Sequence, residues 1–427
     1  MLSLYLHIPF CRQKCQYCSF FVTPEDLVEA GKMAIMKQEY TQLLLNQIQY
    51  WKQIFPDEQI KTLYVWGGTP FQLGKDNLIQ VIETVFATRN CEQLEEVSIE
   101  LNPDPIDETL LFVEEVTKKR EHLFRLRFSF GIQSFDNKIL QASKRAYTYE
   151  QLPDFLRKLQ KIKWANVVYN LDFIAFGDTV LEDKKGKKDK EGTEEFIPRW
   201  EEQRVFFEKL VHSFTFDGFS LYTLELFPWS DRYNTQKVTK KTSDEKESIY
   251  DEFDWLASVV QNAWYGRYEL SNFALPSKRS IHNMVYRTMW SYLGLGINAS
   301  SMLSNELASN IPELNAKMNS DVFWIRFKVS DHRKDINQWQ FIDTGSIQIM
   351  DEKNRLIDEL MLKLRTDQRI TKWERYESII EKNRKTIVEQ RQVQEIIDFD
   401  EEKGRQMTDL WLDLYNSVVT DLIQFWK

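Results

Sequence analysis

The sequence has 427 residues, of which 42% are hydrophobic, and it carries a formal net charge of −9. This length suggests two or three domains with an ample core, and the acidic balance excludes nucleic acid as an expected partner. No segment is apolar enough to span a membrane, and the few, clustered cysteines favour the reducing cytoplasm over an oxidising compartment.

The chain opens with a predicted strand at residues 3–8, and a cysteine cluster follows it directly. Cys11, Cys15 and Cys18 are three of the four cysteines and lie within eight residues as CxxxCxxC. Three cysteines so close cannot all pair among themselves in disulfides. Three thiolates can hold three irons of a cubane cluster and leave the fourth iron open for a further ligand. The spacing therefore predicts a 4Fe-4S cluster with one open coordination position.

A structural zinc site is the competing interpretation of the same cysteines. Tetrahedral zinc accepts three cysteines and one histidine, and His7 lies just before the cluster. Zinc sites usually pair their cysteines in two knuckles, so a single cluster favours iron. The fourth cysteine, Cys91, stands alone and is expected to act as a small buried hydrophobe.

Beyond the cysteine loop, short β-rich segments alternate with longer helical segments. Helices are predicted at about 33–53 and 76–88, which are rich in Gln, Leu, Glu and Lys. Further strands are predicted at 62–66, 97–101, 126–130, 167–174 and 218–225. Strand and helix alternating in this way predict an α/β fold, in which a parallel sheet forms a partial, TIM-like (β/α)6 barrel. The loops at the carboxyl ends of the strands are expected to carry the site.

The later chain predicts an insertion and an appended domain. The run 182–195 mixes lysines with acids and glycines without apolar periodicity, which indicates a solvated, disordered insertion rather than a docking element. After about residue 303 the sequence predicts a smaller, mostly helical domain, with amphipathic helices near 357–364 and 407–425 and a short strand pair near 341–350. The predicted domains are a core barrel at 1–235, a barrel-closing segment at 236–305 and an accessory domain at 306–427.

A series of motifs gives the chain a family resemblance. SLYLHIPFCRQKCQYCSFF resembles the opening of radical S-adenosylmethionine (SAM) enzymes, in the branch of oxygen-independent coproporphyrinogen III oxidase (HemN) and the heme chaperone HemW. Further matches follow in the family's order: WGGTP, SIELNPD, RFSFGIQSFD, NLDF, SLYTLELFP, YELSNFA, HNMVY and YLGLG. A weaker match, DELMLKLRT, resembles the family's small C-terminal domain. The ordered set covers roughly residues 2–366 and is more specific than any single motif.

The resemblance implies that the WGGTP segment holds the methionyl amine of SAM, a role assigned to Gly67, Gly68 and Thr69. Glycines let a ligand approach the backbone closely, although a lone pair of glycines is more often a plain turn. The family continues with Ser where this chain has Phe71, which should change local packing more than backbone contacts. Tyr5 lies in the strand before the cysteine loop, where it either contacts SAM and the cluster or simply faces inward.

Four further residues match family positions that contact SAM: Glu100, Gln133, Arg145 and Asp172. A guanidinium pairs with a carboxylate through two hydrogen bonds, which suits Arg145 to the carboxylate of SAM, and Asp172 suits the ribose hydroxyls. For Glu100 and Asp172 the alternative is an ordinary carboxylate at a strand end. The family usually has His two residues after the arginine, where this chain has Tyr147.

The resemblance also implies the cofactors and their chemistry, which are a 4Fe-4S cluster and SAM. A donor such as flavodoxin or ferredoxin reduces the cluster, and cleavage of SAM then gives methionine and a 5'-deoxyadenosyl radical. The protein orients SAM and excludes water and oxygen.

Two departures favour the HemW side of the branch. The oxidase typically has a further cysteine two places after the third, where this chain has Phe20, and it has a longer N-terminal arm. HemW-like proteins bind heme and pass it to acceptor proteins, so heme or a porphyrin and a heme-acceptor protein are the expected partners. The alternative is a radical enzyme that decarboxylates a porphyrinogen propionate.

The segment from His282 to Arg287 corresponds to an HNxxYW motif that HemW-like proteins use in heme handling. Imidazole is the usual axial ligand of heme iron, so His282 is a candidate heme ligand. The alternative is that His282 and Asn283 cap or cross-link a loop near the barrel mouth. Arg287 replaces the Trp of the motif and could meet a heme propionate.

Overall fold

The computed structural model describes residues 1–29, 31–120, 123–162, 164–177, 204–225, 248–331, 341–363 and 365–367, together with the backbone of 243–247, 397–400 and 404–407. Its strands are β1 (Leu2–Ile8), β2 (Phe10–Cys11), β3 (Thr23–Pro24), β4 (Ile60–Gly67), β5 (Glu96–Leu101), β6 (Arg125–Gln133), β7 (Val167–Ala175), β8 (Gly218–Thr223), β9 (Gly266–Glu269), β10 (Asn272–Ala274), β11 (Tyr292–Leu295), β12 (Ser300–Ser304), β13 (Trp324–Val329), β14 (Ile342–Met350), β15 (Ile397–Asp400) and β16 (Gly404–Met407).

The α-helices of the described chain are α1 (Lys32–Ile54), α2 (Lys75–Thr88), α3 (Ile106–Arg120), α4 (Asn137–Ala142), α5 (Leu152–Lys161), α6 (Arg204–Ser213), α7 (Ser243–Asn262), α8 (Ile281–Arg287), α9 (Asn305–Ala308), α10 (Pro312–Asn315) and α11 (Glu352–Lys363). Short 3-10 helices lie at Glu25–Leu27, Pro70–Leu73 and Tyr149–Gln151. None of the helices in the described ranges is long and apolar enough to cross a membrane.

Within the described chain, twelve strands form one sheet in the order β14-β13-β12-β11-β1-β4-β5-β6-β7-β8-β10-β9. Strands β1, β4, β5, β6, β7 and β8 pair in parallel and follow one another in chain order. This is the strand arrangement of a partial (β/α)6 barrel, so the predicted α/β fold is confirmed. The six predicted strands correspond to these six, and the two predicted helices correspond to α1 and α2.

The central strands alternate polar and apolar side chains, because successive side chains of a strand point to opposite faces. On β7, Leu171 and Phe173 belong to the hydrophobic core. Asn170 and Asp172, which alternate with them, face the other side and hydrogen-bond to Ser129 of the neighbouring strand β6. One face of the sheet is therefore apolar and packs with the helices, whereas the other carries hydroxyl, amide and carboxyl groups.

The edges of the parallel sheet are extended by later segments. Strand β11 returns to pair in parallel with β1, and β12, β13 and β14 continue the sheet in antiparallel fashion. At the other edge β10 and β9 are added beside β8. The described part of the predicted accessory domain thus contributes two strands to the main sheet, together with helices.

Two details after residue 303 can be compared with their predictions. The segment predicted as a strand pair near 341–350 forms the single strand β14, which pairs with β13. Its glycine, Gly345, lies at a register shift between Arg326 and Lys328 of β13 rather than in a hairpin turn. The helix predicted near 357–364 is the second half of α11. The predicted insertion at 182–195 and the helix predicted at 407–425 lie outside the described residues, apart from Met407, which ends β16.

Candidate functional site

The carboxyl ends of the parallel strands border a cleft of about 1110 Å³. Small-molecule sites usually measure about 300–1000 Å³, so this cleft is large. Its lining includes the three clustered cysteines and seven of the eight predicted SAM contacts: Gly67, Gly68, Thr69, Glu100, Gln133, Arg145 and Asp172. Tyr5 and His282 lie outside that lining. The fold therefore brings together residues that are spread over more than half of the parallel sheet.

The three cysteines lie on the loop that follows β1 and are each half-buried, with free thiols. Burial and the neighbouring cysteines raise the pKa of Cys11 to about 12, and burial raises the pKa of Cys18 to about 11. All three thiols line the cleft, and cysteine thiolates are the protein ligands that hold iron–sulfur clusters. Among the residues that the structure describes, no three His, Cys, Asp or Glu side chains are placed to hold a metal ion.

The glycines at the end of β4 allow the cysteine loop to approach closely. The amides of Gly68 and Thr69 donate to the carbonyl oxygens of Ile8 and Phe10, at 2.7 and 2.8 Å. A Cβ atom on Gly68 would lie only 2.6 Å from the Phe10 carbonyl oxygen and 2.8 Å from the Sγ of Cys11. Glycine is required here because the loop that carries the cysteines packs directly on the strand end.

His7 and Tyr5 support this loop from β1. The Nε2 of His7 lies 3.0 Å from the carbonyl oxygen of Phe21, so this nitrogen carries the proton, and Nδ1 accepts from the Tyr5 hydroxyl at 2.8 Å. Burial lowers the pKa of His7 to about 4, which keeps the ring neutral. Both ring nitrogens are used, so the arrangement offers no fourth zinc ligand from His7. Tyr5 acts on the loop through His7 rather than lining the cleft.

Glu100 and Asp172 form a carboxyl pair in the cleft. Burial and the neighbouring Asp172 raise the pKa of Glu100 to about 8, and burial also raises the pKa of Asp172. The hydroxyl of Tyr64 donates to Glu100. Ser129 Oγ lies 3.1 Å from both oxygens of Asp172, and the amide of Asn170 donates to Asp172 at 2.7 Å. The protonated form of Glu100 is therefore favoured at neutral pH, and Arg127 acts on both carboxyl groups with its positive charge.

Arg145 is half-buried and connects the cysteine loop to two strand ends. Its Nη2 donates to Asn102 Oδ1 at 2.8 Å and to the Gly131 carbonyl oxygen at 2.5 Å, and its Nε donates to the hydroxyl of Tyr147 at 3.2 Å. Its Nη1 lies 3.5 Å from the Sγ of Cys15. A two-point pairing with the SAM carboxylate requires Arg145 to release one of these acceptors, so that role stays a prediction.

Gln133 ends β6 in a strained backbone conformation. Its φ of 66° lies in the left-handed region, and the β6–β7 register shifts between Gly131 and Gln133. A Cβ atom on Gly131 would lie 2.6 Å from Gln133 Nε2, 2.9 Å from Arg145 Nη2 and 3.0 Å from Asn102 Oδ1. Such strain is concentrated at functional sites. The missing side chain of Gly131 leaves the space in which these three polar groups meet.

His282 is fully buried behind the cleft and makes two side-chain hydrogen bonds. Thr62 donates its hydroxyl hydrogen to Ser3, so it accepts from His282 Nδ1 at 2.7 Å, and His282 Nε2 accepts from Tyr286 at 2.8 Å. Burial lowers the pKa of His282 to about 3. Axial heme ligation through Nε2 would require His282 to release Tyr286 and to become accessible from its fully buried position. The geometry favours the alternative, in which His282 cross-links α8 to the strands.

The substituted motif positions have identifiable contacts. Phe71 is buried and packs on Phe112, with ring centroids 5.4 Å apart, which agrees with an effect on packing. Tyr147 donates to the carbonyl oxygens of strand β6 and accepts from Arg145. Phe20 packs on Trp66 at 4.6 Å between ring centroids. Arg287 forms an ion pair at 2.7 Å with Glu269, a buried residue of the YELSNFA motif.

Several residues that shape the site are not among the predicted contacts. Tyr64, Asn102, Ser129 and Asn170 hold the carboxyl pair and Arg145 in place. The available signal was the alternation of polar with apolar residues along β4, β6 and β7, because a polar residue repeated on one face of a buried strand needs a partner. Glu269 could have been noted as the one acidic residue of the YELSNFA motif.

Residues 5–182 match the family model of the radical SAM superfamily, and this range contains the cysteine loop and every residue predicted to contact SAM. The chain therefore contains a radical SAM domain. This domain implies a 4Fe-4S cluster and SAM as cofactors. The thiols and the polar cleft described above fit that pair of cofactors.

Similarity to individual radical SAM proteins extends beyond the matched domain. The heme chaperone HemW of Lactococcus lactis is 26% identical over 365 residues, which cover 85% of this chain and 81% of the relative. HemW of Bacillus subtilis is 25% identical and covers 73% of each chain. The solved structure of coproporphyrinogen III oxidase (HemN) from Escherichia coli has a TM-score of 0.70 at 17% identity, covering 99% of this chain and 89% of that one. The similarity to the HemN structure supports the assignment of the partial (β/α)6 barrel fold.

Proposed function

We propose that this radical SAM protein is a heme chaperone, which binds heme and transfers it to an acceptor protein. The observation that carries the proposal is the continuity of the cleft. It runs from the cysteine loop, past the predicted SAM contacts, to Asn283, Tyr286 and Arg287 of the HNMVY segment. The similarity to HemW proteins, which includes the segment after the matched domain, supports the same function.

Cys11, Cys15 and Cys18 would bind the cluster, and SAM would occupy the adjacent part of the cleft. When bound, the two cofactors supply one-electron chemistry. The carboxyl oxygens of Glu100 and Asp172 would accept hydrogen bonds from polar groups of SAM. Arg145 fixes the cysteine loop relative to the strand ends.

The partners of this function follow from its chemistry. A one-electron donor of the flavodoxin or ferredoxin class would reduce the cluster, and a heme-acceptor protein would receive the cargo. The size of the cleft supports binding of a second ligand beside SAM, because its volume exceeds that of a usual single-ligand site. Phe20, at the place where the oxidase typically has a further cysteine, supports the chaperone over the oxidase.

Anaerobic reconstitution with iron and sulfide tests the proposal directly. The reconstituted protein is offered heme in one arm and coproporphyrinogen III with SAM and a reductant in the other. We expect stable, stoichiometric heme binding and no vinyl product. Formation of vinyl groups would instead identify an oxidative decarboxylase. Cys91→Ala is the control for a variant in which Cys11, Cys15 and Cys18 are changed to Ala, because Cys91 is half-buried and lies outside the cysteine cluster.

A further inference from the structure

A second group of charged side chains lies in the same cleft, away from the cysteine loop. It consists of Glu269, Arg287 and Arg365, which come from β9, α8 and the segment after α11. Oε1 of Glu269 lies 2.7 Å from Nη2 of Arg287 and 3.2 Å from Nε of Arg365. The other oxygen of Glu269 accepts from the Ser271 amide at 3.0 Å and from Asn272 at 2.8 Å. Glu269 is therefore held in a fixed position with both oxygens occupied.

The charges of this group do not cancel. Glu269 is buried, yet the two arginines hold its pKa below the usual range, so it carries one negative charge opposite two guanidinium groups. The Arg287 and Arg365 side chains remain 23% and 29% exposed, and both line the cleft. In the described chain, Arg287 forms its ion pair with Glu269, and its Nε is buried without a hydrogen-bond partner. Arg287 thus has donor capacity that Glu269 does not use.

Helix α8 fixes the position of Arg287. The hydrogen bond from Tyr286 to His282, at 2.8 Å, ties the last turn of the helix to the buried histidine. Ser280 caps the other end, where its hydroxyl accepts from the amide of Asn283. Arg287, the last residue of the helix, is consequently presented to the cleft by a rigid element, which reduces the entropy lost when a ligand binds.

We propose that Arg287 and Arg365 form a subsite for a carboxylate of the bound tetrapyrrole, with Glu269 positioning both guanidinium groups. This inference rests on the proposed function, and it names the group of the cargo that is recognised. A propionate is a carboxylate on a flexible arm, and guanidinium groups bind carboxylates through paired, charge-assisted hydrogen bonds. Arg287 replaces the Trp of the HNxxYW motif, so this chain gains a charged contact where a Trp offers an apolar one.

The test compares heme with heme dimethyl ester, in which both propionates are neutral. The reconstituted full chain is titrated anaerobically with each compound, as wild type, Arg287→Gln, Arg287→Lys and Arg287→Trp. The matched control is Arg279→Gln, which removes an ion pair at 2.9 Å between Arg279 and Asp367 outside the cleft lining. Retention of SAM binding checks that each variant is folded.

We expect Arg287→Gln and Arg287→Trp to weaken heme binding about 10-fold, the size of one charge-assisted hydrogen bond, and to leave binding of the ester unchanged. Arg287→Lys should retain part of the preference for heme, and Arg279→Gln should retain all of it. Equal losses for heme and ester, or no loss for either, would overturn the subsite. If wild type binds neither heme nor the ester, the chaperone function fails together with the subsite. This result is distinguishable from failure of the subsite alone, in which wild type still binds heme.

Discussion

Asp172 on β7 raises the pKa of Glu100 on β5 although strand β6 lies between their strands. The two carboxyl groups influence each other because the residue of β6 that pairs with Glu100 is Ser129, whose small side chain donates to Asp172. A larger side chain on β6 at this position would separate the two carboxyl groups. The pair therefore depends on three strands whose polar residues face the same side.

The raised pKa of Glu100 makes folding stability depend on pH. The pKa of Glu100 is raised to about 8 by burial and by Asp172, so between its ordinary value and about 8 the folded protein holds a proton that the unfolded chain has lost. This stabilisation is present at low pH and is lost as pH rises. We expect the free energy of unfolding to fall by up to about 1.4 kcal/mol per pH unit from this group between about pH 5.5 and 7.5.

Urea unfolding at several pH values measures this slope in wild type and in Glu100→Gln. The variant should show a shallower dependence, because glutamine does not titrate. Glu92→Gln, at an exposed position, should keep the wild-type slope. Equal slopes of the unfolding free energy against pH in wild type and Glu100→Gln would contradict the raised pKa of Glu100.

Gly68→Ala should displace the loop that carries the cysteines. The new methyl group would meet the Phe10 carbonyl oxygen at 2.6 Å and Cys11 Sγ at 2.8 Å, and neither can move without shifting the loop. We expect iron and sulfide per chain to fall at least about 5-fold after anaerobic reconstitution, because the loop that carries the three thiols is displaced. Gly266→Ala is the control, since its nearest neighbour would lie at 3.9 Å. Full iron content in Gly68→Ala would refute this role.

Tyr147→Phe should loosen Arg145 and weaken SAM binding. The hydroxyl of Tyr147 accepts from Arg145 Nε and contacts two carbonyl oxygens of β6, so its loss leaves buried groups unsatisfied. We expect SAM affinity to drop about 5- to 30-fold and stability to drop by about 1–3 kcal/mol. Tyr147→His places the usual family residue there and should recover most of the affinity. Isothermal titration calorimetry measures SAM binding to wild type, Tyr147→Phe and Tyr147→His. Equal SAM affinities in all three proteins would exclude a positioning role for Tyr147.

His282→Ala should act on stability rather than on heme coordination. The change removes partners from Thr62 and Tyr286 in a fully buried setting, which should cost about 2–4 kcal/mol. Resonance Raman spectra of the heme-loaded protein should show the same axial ligand in wild type and in a folded variant such as His282→Gln. Loss of an imidazole signature would restore His282 as the heme ligand.

The fold could be predicted largely from local patterns. The six parallel strands each combine an apolar face with a recognisable motif, so their positions followed from residues close together in sequence. The polar residues on the inner face of the sheet could be predicted only in part from the sequence. Ser129 and Asn170 acquire their roles from strand register, which depends on pairing between distant segments.

The main differences at the site also arise from distant contacts. His282 hydrogen-bonds to Thr62, which lies 220 positions earlier in the chain, so its burial could not be deduced from the HNMVY motif. Arg145 meets Cys15 and Asn102 only because the loops after three strands converge. Residue type and motif order suggested the chemistry, whereas the hydrogen-bond partners required the three-dimensional fold.

The most direct test of the account is the content of iron, sulfide and heme in protein purified and reconstituted without oxygen. We expect about four irons, about four sulfides and about one heme per wild-type chain, with the iron and sulfide of the cluster lost when Cys11, Cys15 and Cys18 are all changed to Ala. A chain that holds no heme, or that holds the same iron and sulfide without these thiols, would contradict a radical SAM heme chaperone.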